Sequence, residues 1–266
     1  MTEIAERLQF AVEIAREAGD GTLRYFRRPD LAVERKADQS PVTVADRTAE
    51  ELLRRRIGER FPGDAIIGEE FGEQAGQSGF QWILDPIDGT KSFIHGVPLY
   101  TTLIAVLQND EPQIGVIHAP ALGETVYAAK GSGCWYTCGS ANKPQATRVS
   151  TVASLGESLL LTTEVDGFRQ RPSGDATDVF IRLQRAARLA RTWGDGYGYL
   201  MVATGRAEVM IDPIVNLWDA ACLLPIIEEA GGQFSDWKGN STIRAGEAVA
   251  TNGLVGREVL GMTRGQ

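Results

Sequence analysis

Two aspartates three residues apart close a run that otherwise reads as a buried strand: Trp82-Ile83-Leu84-Asp85-Pro86-Ile87-Asp88-Gly89-Thr90. Pro86 cannot donate to a ladder, so regular pairing has to stop or bulge there. Asp, Pro and Gly are also turn residues, and a plain turn accounts for the pattern on local grounds. The residues that follow add weight to a second reading. Gly89 and Thr90 lead into a short helix at Lys91 to His95, and a helix N-terminus offers backbone N–H groups to an anion. Two carboxylates on a strand-ending turn can share a hard cation, with the Ile87 carbonyl as a further oxygen ligand. A cation site and an anion site within a few residues of each other are what metal-assisted phosphoryl chemistry needs.

Three other segments bring acids that the same chemistry could use. Ile67-Gly68-Glu69-Glu70 ends an apolar run, so one glutamate would face inward and the other outward; a solvated pair of surface acids is the alternative. Leu217-Trp218-Asp219-Ala220-Ala221 opens an apolar helix that ends at Ala230-Gly231-Gly232. Asp219 could cap that helix, with Asn216 as the N-cap. Lys36-Ala37-Asp38 leads through Pro41-Val42-Thr43 to Asp46, an acid whose helix dipole alone would satisfy it.

The elements that must position these residues follow from periodicity. Residues 3–26 and 44–60 carry apolar side chains at helical spacing, and Phe61-Pro62-Gly63 stops the second run. Residues 65–67, 82–84, 101–107, 114–117 and 125–129 read as strands, with a turn at Asn109 to Pro112. The first half is therefore two helices beside a mainly antiparallel sheet. The polar segment 138–147 (CGSANKPQAT) marks a boundary. An α+β domain at 1–147 would carry most of the acids, and a layered α/β domain at 148–266 would carry Asp219. In the second half strands are expected at 158–163, 207–211, 233–236 and 247–251. Helices are expected at 175–190, 197–204, 217–230 and 253–261, with Pro225 kinking or tightening the third. The chain has no internal repeat.

Composition narrows the function classes. A chain of 266 residues with 43% hydrophobic residues buries a sizeable core without staples. A net charge of −8 argues against a broad nucleic-acid footprint. The acidic start MTEIAERLQF lacks the basic region and apolar core of a signal peptide, and no apolar run would span a bilayer. These features point to a cytoplasmic protein without membrane partners. Three cysteines (Cys134, Cys138, Cys222) cannot build a disulfide framework, and with only His95 and His118 beside them they make a poor zinc set.

Taken together the motifs resemble the inositol-monophosphatase superfamily of magnesium-dependent, lithium-sensitive phosphatases. The residues that carry the likeness are GEE at 68–70, WILDPIDGT at 82–90, LWDAA at 217–221 and EEAGG at 228–232. The likeness runs from Lys36 to Asn252-Gly253 and implies a layered αβαβα sandwich. It implies magnesium ligands at Glu69, Asp85, the Ile87 carbonyl, Asp88 and Asp219. It makes Asp46 the acid that supports a further magnesium through water and bonds toward Thr90. Asp88, Gly89 and Thr90 would hold the phosphate; Glu69 with Thr90 would position and deprotonate the attacking water. Asp212 would meet the non-phosphate part of the substrate, and Glu70 would stand behind the ligands. Two or three Mg2+ are implied, with Mn2+ able to substitute, in a homodimer. The all-oxygen ligand set agrees with magnesium or manganese over zinc. Carboxylates gathered in one cleft repel one another, and divalent cations relieve that.

The segment Arg191-Thr192-Trp193-Gly194-Asp195-Gly196-Tyr197-Gly198-Tyr199 bears on which ester is cleaved. Its W-G-D-x-Y-x-Y form resembles the histidinol-phosphate phosphatases of the superfamily. Histidinol phosphate carries an ammonium and an imidazole. Asp195 and Asp212 supply negative charge, Asn216 offers an amide to a ring nitrogen, and Arg191 and Gly194 complete the expected substrate set. Asp195 could instead cap the helix near Tyr197, and Trp193 and Tyr197 could be core packing. The competing readings are an inositol-1-phosphate or broad sugar-phosphate phosphatase, a 3′-phosphoadenosine nucleotidase, and a non-catalytic metal-binding regulator.

Overall fold

The computed structural model describes residues 2–37, 39–139 and 143–263. Asp38 and part of the polar segment expected at 138–147 (residues 140–142) lie outside the described residues.

The first helix, Glu3–Thr22, starts where the Thr2 side chain accepts from Ala5 N, and lays Ala11, Ile14, Ala15 and Ala18 against the sheet. It stops short of the expected residue 26. The Thr22 hydroxyl donates back to the Gly19 carbonyl at 2.6 Å, ending the helical run. Gly19 is a point of contact, since a Cβ there would lie 2.6 Å from the His118 ring. The second helix, Val44–Arg60, begins with a capping box between Thr43 and Asp46 and buries Ala45, Ala49, Leu53 and Ile57.

These two helices cover one face of an eight-stranded sheet. Its spatial order is Gln145–Ala146, Cys134–Cys138, Glu124–Ala129, Glu111–Ala119, Thr101–Gln108, Phe80–Asp88, Ala65–Gly68, Gly72–Gln74. Every pairing is antiparallel except that of Ala65–Gly68 with Phe80–Asp88. The turn expected over four residues is tighter: Asn109 and Asp110 both hold positive φ and join two strands as a two-residue hairpin. The polar segment before residue 147 is not a free linker, because Gln145–Ala146 pairs with Trp135 and Tyr136.

On the opposite face pack the helices Asp195–Ala203 and Leu223–Glu229. Beneath them lies a five-stranded sheet in the order Leu189–Arg191, Leu159–Leu161, Val209–Asp212, Ala248–Thr251, Gln233–Ser235. The helices Thr177–Ala186 and Gly256–Thr263 close its far side. The layers therefore run αβαβα, as expected, and the largest core cluster joins the two sheets through the central helices.

Two expectations about the second half need correction. The helix expected at 175–190 ends at Ala186, and Leu189–Arg191 forms an edge strand parallel to Leu159–Leu161. The run Ala186 to Arg191 has no breaker, so the sheet edge decides its conformation. The helix expected at 217–230 is two helices, Leu217–Ala220 and Leu223–Glu229. Pro225 lacks an N–H for the fourth carbonyl upstream and sits where that loss is tolerated, in the first turn of the second piece. All three cysteines are free thiols. Among the described residues no helix is long and apolar enough to cross a membrane.

Candidate active site

Along a regular strand, residues three apart face opposite sides of the sheet. Asp85 and Asp88 escape that rule. Asp85 pairs with Leu103 and Asp88 with Thr101, so three steps on one strand match two on the other. The extra residue is a bulge at Pro86-Ile87, and it turns both carboxylates to the same side. Asp85 Oδ1 accepts from Ile87 N at 3.1 Å, which holds the bend. Asp88 Oδ2 accepts from the Thr101 hydroxyl at 2.9 Å and from Gly196 N. A Cβ at residue 196 would lie 2.5 Å from the Thr101 hydroxyl oxygen, so only glycine brings that N–H in.

Asp219 arrives from the second half. Its Oδ2 accepts from Asn216 N at 2.6 Å, and the Asn216 side chain returns the bond in a capping box. Both readings of Asp219 hold together: it caps the helix and joins the acids. Asp85, Asp88 and Asp219 each offer an oxygen, and the three lie within 4.8 Å of one another. Glu69 is not one of the converging three. Its negative charge bears on Asp85, it lines the same cleft, and Lys36 Nζ stands 2.7 Å from its Oε1. Lys36 also holds Glu70 Oε1 at 2.6 Å. Burial, opposed by the Lys36 bond, pushes the Glu70 carboxyl up to about 7.

Thr90 opens the helix Thr90–Ile94, with Gly89 before it at φ 82°, a left-handed conformation that suits glycine. The Thr90 hydroxyl stands 3.1 Å from the Ile87 carbonyl and 3.4 Å from Asp46 Oδ1. Asp46 uses its other oxygen for the Thr43 N–H and hydroxyl. With the Thr90 proton directed at these acceptors, its lone pairs are what remain for a water in the cleft. The first-turn N–H groups of a helix have no acceptor of their own, which suits an anion beside Gly89 and Thr90.

A cleft of about 390 Å³ is lined by Glu69, Asp85, Ile87, Asp88, Gly89, Thr90, Asp195, Asn216 and Asp219. Asp195 takes a positive φ of 54° and its N–H donates to the Thr163 hydroxyl at 2.8 Å. A Cβ on Gly89 would lie 2.8 Å from Asp195 Oδ2, so this carboxylate borders the anion cradle. A Cβ on Gly194 would strike the Thr163 backbone at 2.2 Å, which explains the glycine there. Asp212 lies behind the main cleft. It accepts from Thr163 N, the Thr162 hydroxyl and the Tyr199 hydroxyl, and it borders a small adjoining cavity with Asp195. Arg191 is not brought to the cleft; its Nη1 donates to the Ala190 carbonyl and it lines a separate groove. Tyr197 reaches away to Glu124 at 3.2 Å and packs in the core.

Sequence reasoning passed over several supports. Glu50, fully buried, accepts from Glu70 N and Phe71 N and so fixes the turn after Glu69. Thr101 and Thr163 hold Asp88 and Asp195 from other strands and loops. Nothing in their local sequence marks them, because threonines in apolar strands are ordinary.

Gathered in one place, the acids oppose one another's ionisation. Burial first, then Glu69, Asp88 and Asp219, pushes Asp85 well above the usual carboxylate range. Burial raises Asp88 to about 6 against the donors that hold it; burial and the charge of Asp88 raise Asp219 to about 8. A hard divalent cation among oxygen ligands fits such a set. A pH dependence follows. A carboxyl whose folded pKa exceeds its unfolded value of about 3.9 stabilises the fold while protonated and loses that contribution as pH rises through the folded value. In EDTA, these acids are expected to make the melting temperature fall between about pH 4 and about pH 8, and excess Mg2+ to remove most of the slope. A metal-free melting temperature that climbs over this range would contradict the assignment.

A bulged strand end, a turn opening a helix and an acidic triad, set between two sheets, define a class: phosphatases that work around a metal-binding acidic centre. The profile of the inositol monophosphatase family matches residues 3–263. The chain belongs to the inositol monophosphatase family, whose phosphatases depend on metal. It is 46% identical over 254 residues to a histidinol-phosphatase of Chlorobaculum parvum, covering 95% of each chain. It is 40% identical over 253 residues to a histidinol-phosphatase of Mycobacterium tuberculosis, covering 95% of this chain and 96% of that one. An IMPase of Thermotoga maritima of known structure superposes with a TM-score of 0.85 at 31% identity, covering 98% and 97% of the two chains.

Proposed function

We propose that the chain hydrolyses L-histidinol phosphate to L-histidinol and phosphate, with Mg2+ as its metal. One observation carries the substrate choice: a half-buried carboxylate, Asp195, stands against the glycine that opens the anion cradle. In histidinol phosphate the amino group sits one carbon from the carbon that bears the phosphoester oxygen. A cation at that distance from the phosphate meets Asp195, whereas a neutral polyol brings it no opposite charge. The relatives named histidinol-phosphatase support the same reading.

Asp85, the Ile87 carbonyl, Asp88, Asp219 and Glu69 are the proposed metal ligands, and all are oxygen donors suited to Mg2+. When bound, the metal supplies charge neutralisation, water activation and stabilisation of the leaving alkoxide. Gly89 and Thr90 hold the phosphate by backbone N–H groups. Thr90, backed by Asp46, receives a hydrogen bond from the attacking water and orients it. Glu69 accepts the water proton. Asn216 lines the same cleft and offers its amide to the imidazole side of the substrate.

The test compares two esters. A charge-assisted hydrogen bond to an ammonium is worth roughly 1.5–3 kcal/mol, and its loss costs about 10- to 150-fold. Asp195→Ala is expected to lower kcat/KM for histidinol phosphate by that factor and to change it little for glycerol 2-phosphate. Equal losses on both would make Asp195 a structural acid. Equal wild-type efficiency on histidinol phosphate and inositol 1-phosphate would overturn the substrate reading.

A further inference from the structure

Lys91 and Glu164 face each other across the mouth of the cleft. Lys91 belongs to the helix that opens at Thr90; Glu164 follows the strand Leu159–Leu161 of the other sheet. Both line the cleft, and Lys91 Nζ stands 2.8 Å from Glu164 Oε2. The pair joins the two halves of the molecule above the acids, and both side chains are more than half exposed. An ion pair in that setting contributes little to stability, so it opens readily. Glu164 also adjoins Thr163, whose hydroxyl holds Asp195. The same wall thus presents one carboxylate within the cleft and one at its mouth, with the Lys91 ammonium opposite.

We propose that Glu164 is a specificity-determining residue that receives the imidazole ring of the substrate, and that Lys91 is its placeholder. The inference rests on the histidinol phosphate reading. With the phosphate on Gly89 and Thr90 and the amino group at Asp195, the ring is the outermost part of the substrate. It therefore falls at the mouth, where Glu164 accepts its ring N–H. Lys91, one residue after Thr90, is released toward the phosphate. One ion pair is exchanged for two favourable contacts. A phosphate ester that lacks the ring leaves the pair closed and gains no contact from Glu164, so Glu164 supplies the preference for the ring and opening the pair is what that contact costs.

The experiment reads the preference for histidinol phosphate over alaninol phosphate, which keeps the phosphate and the amine and lacks the ring. Glu164→Gln is expected to lower that ratio of kcat/KM values about tenfold. Lys91→Met frees Glu164 from its competitor and is expected to raise the ratio about two- to fivefold, whatever it does to phosphate binding, which both esters share. Opposite signs for the two variants support the exchange. A ratio unmoved by Glu164→Gln, or moved the same way by both variants, overturns it. Wild-type activity on inositol 1-phosphate separates the two failures. If it equals that on histidinol phosphate, the substrate reading falls and this inference with it. If histidinol phosphate is strongly preferred while Glu164→Gln leaves the ratio unmoved, only this inference falls.

Discussion

Asp85→Asn is expected to lower Mg2+-dependent kcat/KM by about a thousandfold or more while raising the melting temperature of the metal-free protein. The two effects have one cause. Asp85 is buried beside Glu69, Asp88 and Asp219, and each negative neighbour opposes its ionisation. Each unit by which a carboxyl is pushed up costs the ionised fold about 1.4 kcal/mol, so a neutral amide relieves the site. For a chain of this size that relief is worth roughly 2–4 °C per kcal/mol. The amide oxygen still accepts from Ile87 N, so the bulge survives. What is lost is a charged oxygen at the proposed metal site, a water-poor place where single groups aimed at transition-state charge carry about 10²- to 10³-fold each. Stabilisation by Mg2+ should shrink in the variant, since bound ligand stabilises in proportion to the logarithm of its saturation. Thermal unfolding in EDTA and in Mg2+, with phosphate release on the same samples, reads all three effects. Near-normal Mg2+-dependent turnover in a folded variant would remove Asp85 from the metal site.

With Mg2+ raised until the variant is saturated, Glu69→Gln is expected to reduce kcat by about 10²- to 10⁴-fold, the range for a lost general base, and to leave KM for the ester within about threefold. Glutamine fills the same volume and can still accept from Lys36, so the lip of the cleft keeps its shape. It cannot take the proton that the attacking water gives up. That proton moves only in the transition state, so the loss belongs to kcat and not to ground-state binding. Thr90→Val should fall in the same direction, because the hydroxyl that Asp46 and the Ile87 carbonyl orient is then missing. An effect of Glu69→Gln confined to KM would make Glu69 a binding residue and leave the base unassigned.

Much of this molecule is written locally. Thr43 and Asp46 cap a helix within one turn of chain. Gly89 takes a left-handed conformation before Thr90, and Asn216 and Asp219 cap each other. The alternation of short strands and amphipathic helices gives the layered architecture, because burial of each apolar face leaves few ways to stack them. Such features need only neighbours a few residues away, so residue type and spacing announce them. The presence of acids with metal chemistry was legible for the same reason.

What the spacing could not say is which way those acids point and what they meet. Asp85 and Asp88 share a side only because pairing with Thr101–Gln108 slips by one residue. Asp195 borders Gly89, and Asp219 joins Asp85 and Asp88, only because the two sheets close on the same central helices. Arg191, in the same motif as Asp195, is turned away because Leu189–Arg191 is claimed by a sheet edge. Asp212 is taken up by Thr162, Thr163 and Tyr199 behind the cleft. Residue types and local backbone rules determined which chemistry this chain can perform. Strand register and sheet packing, which depend on partners far apart in the chain, decided which of its acids face one another and so where a cation and a substrate can sit.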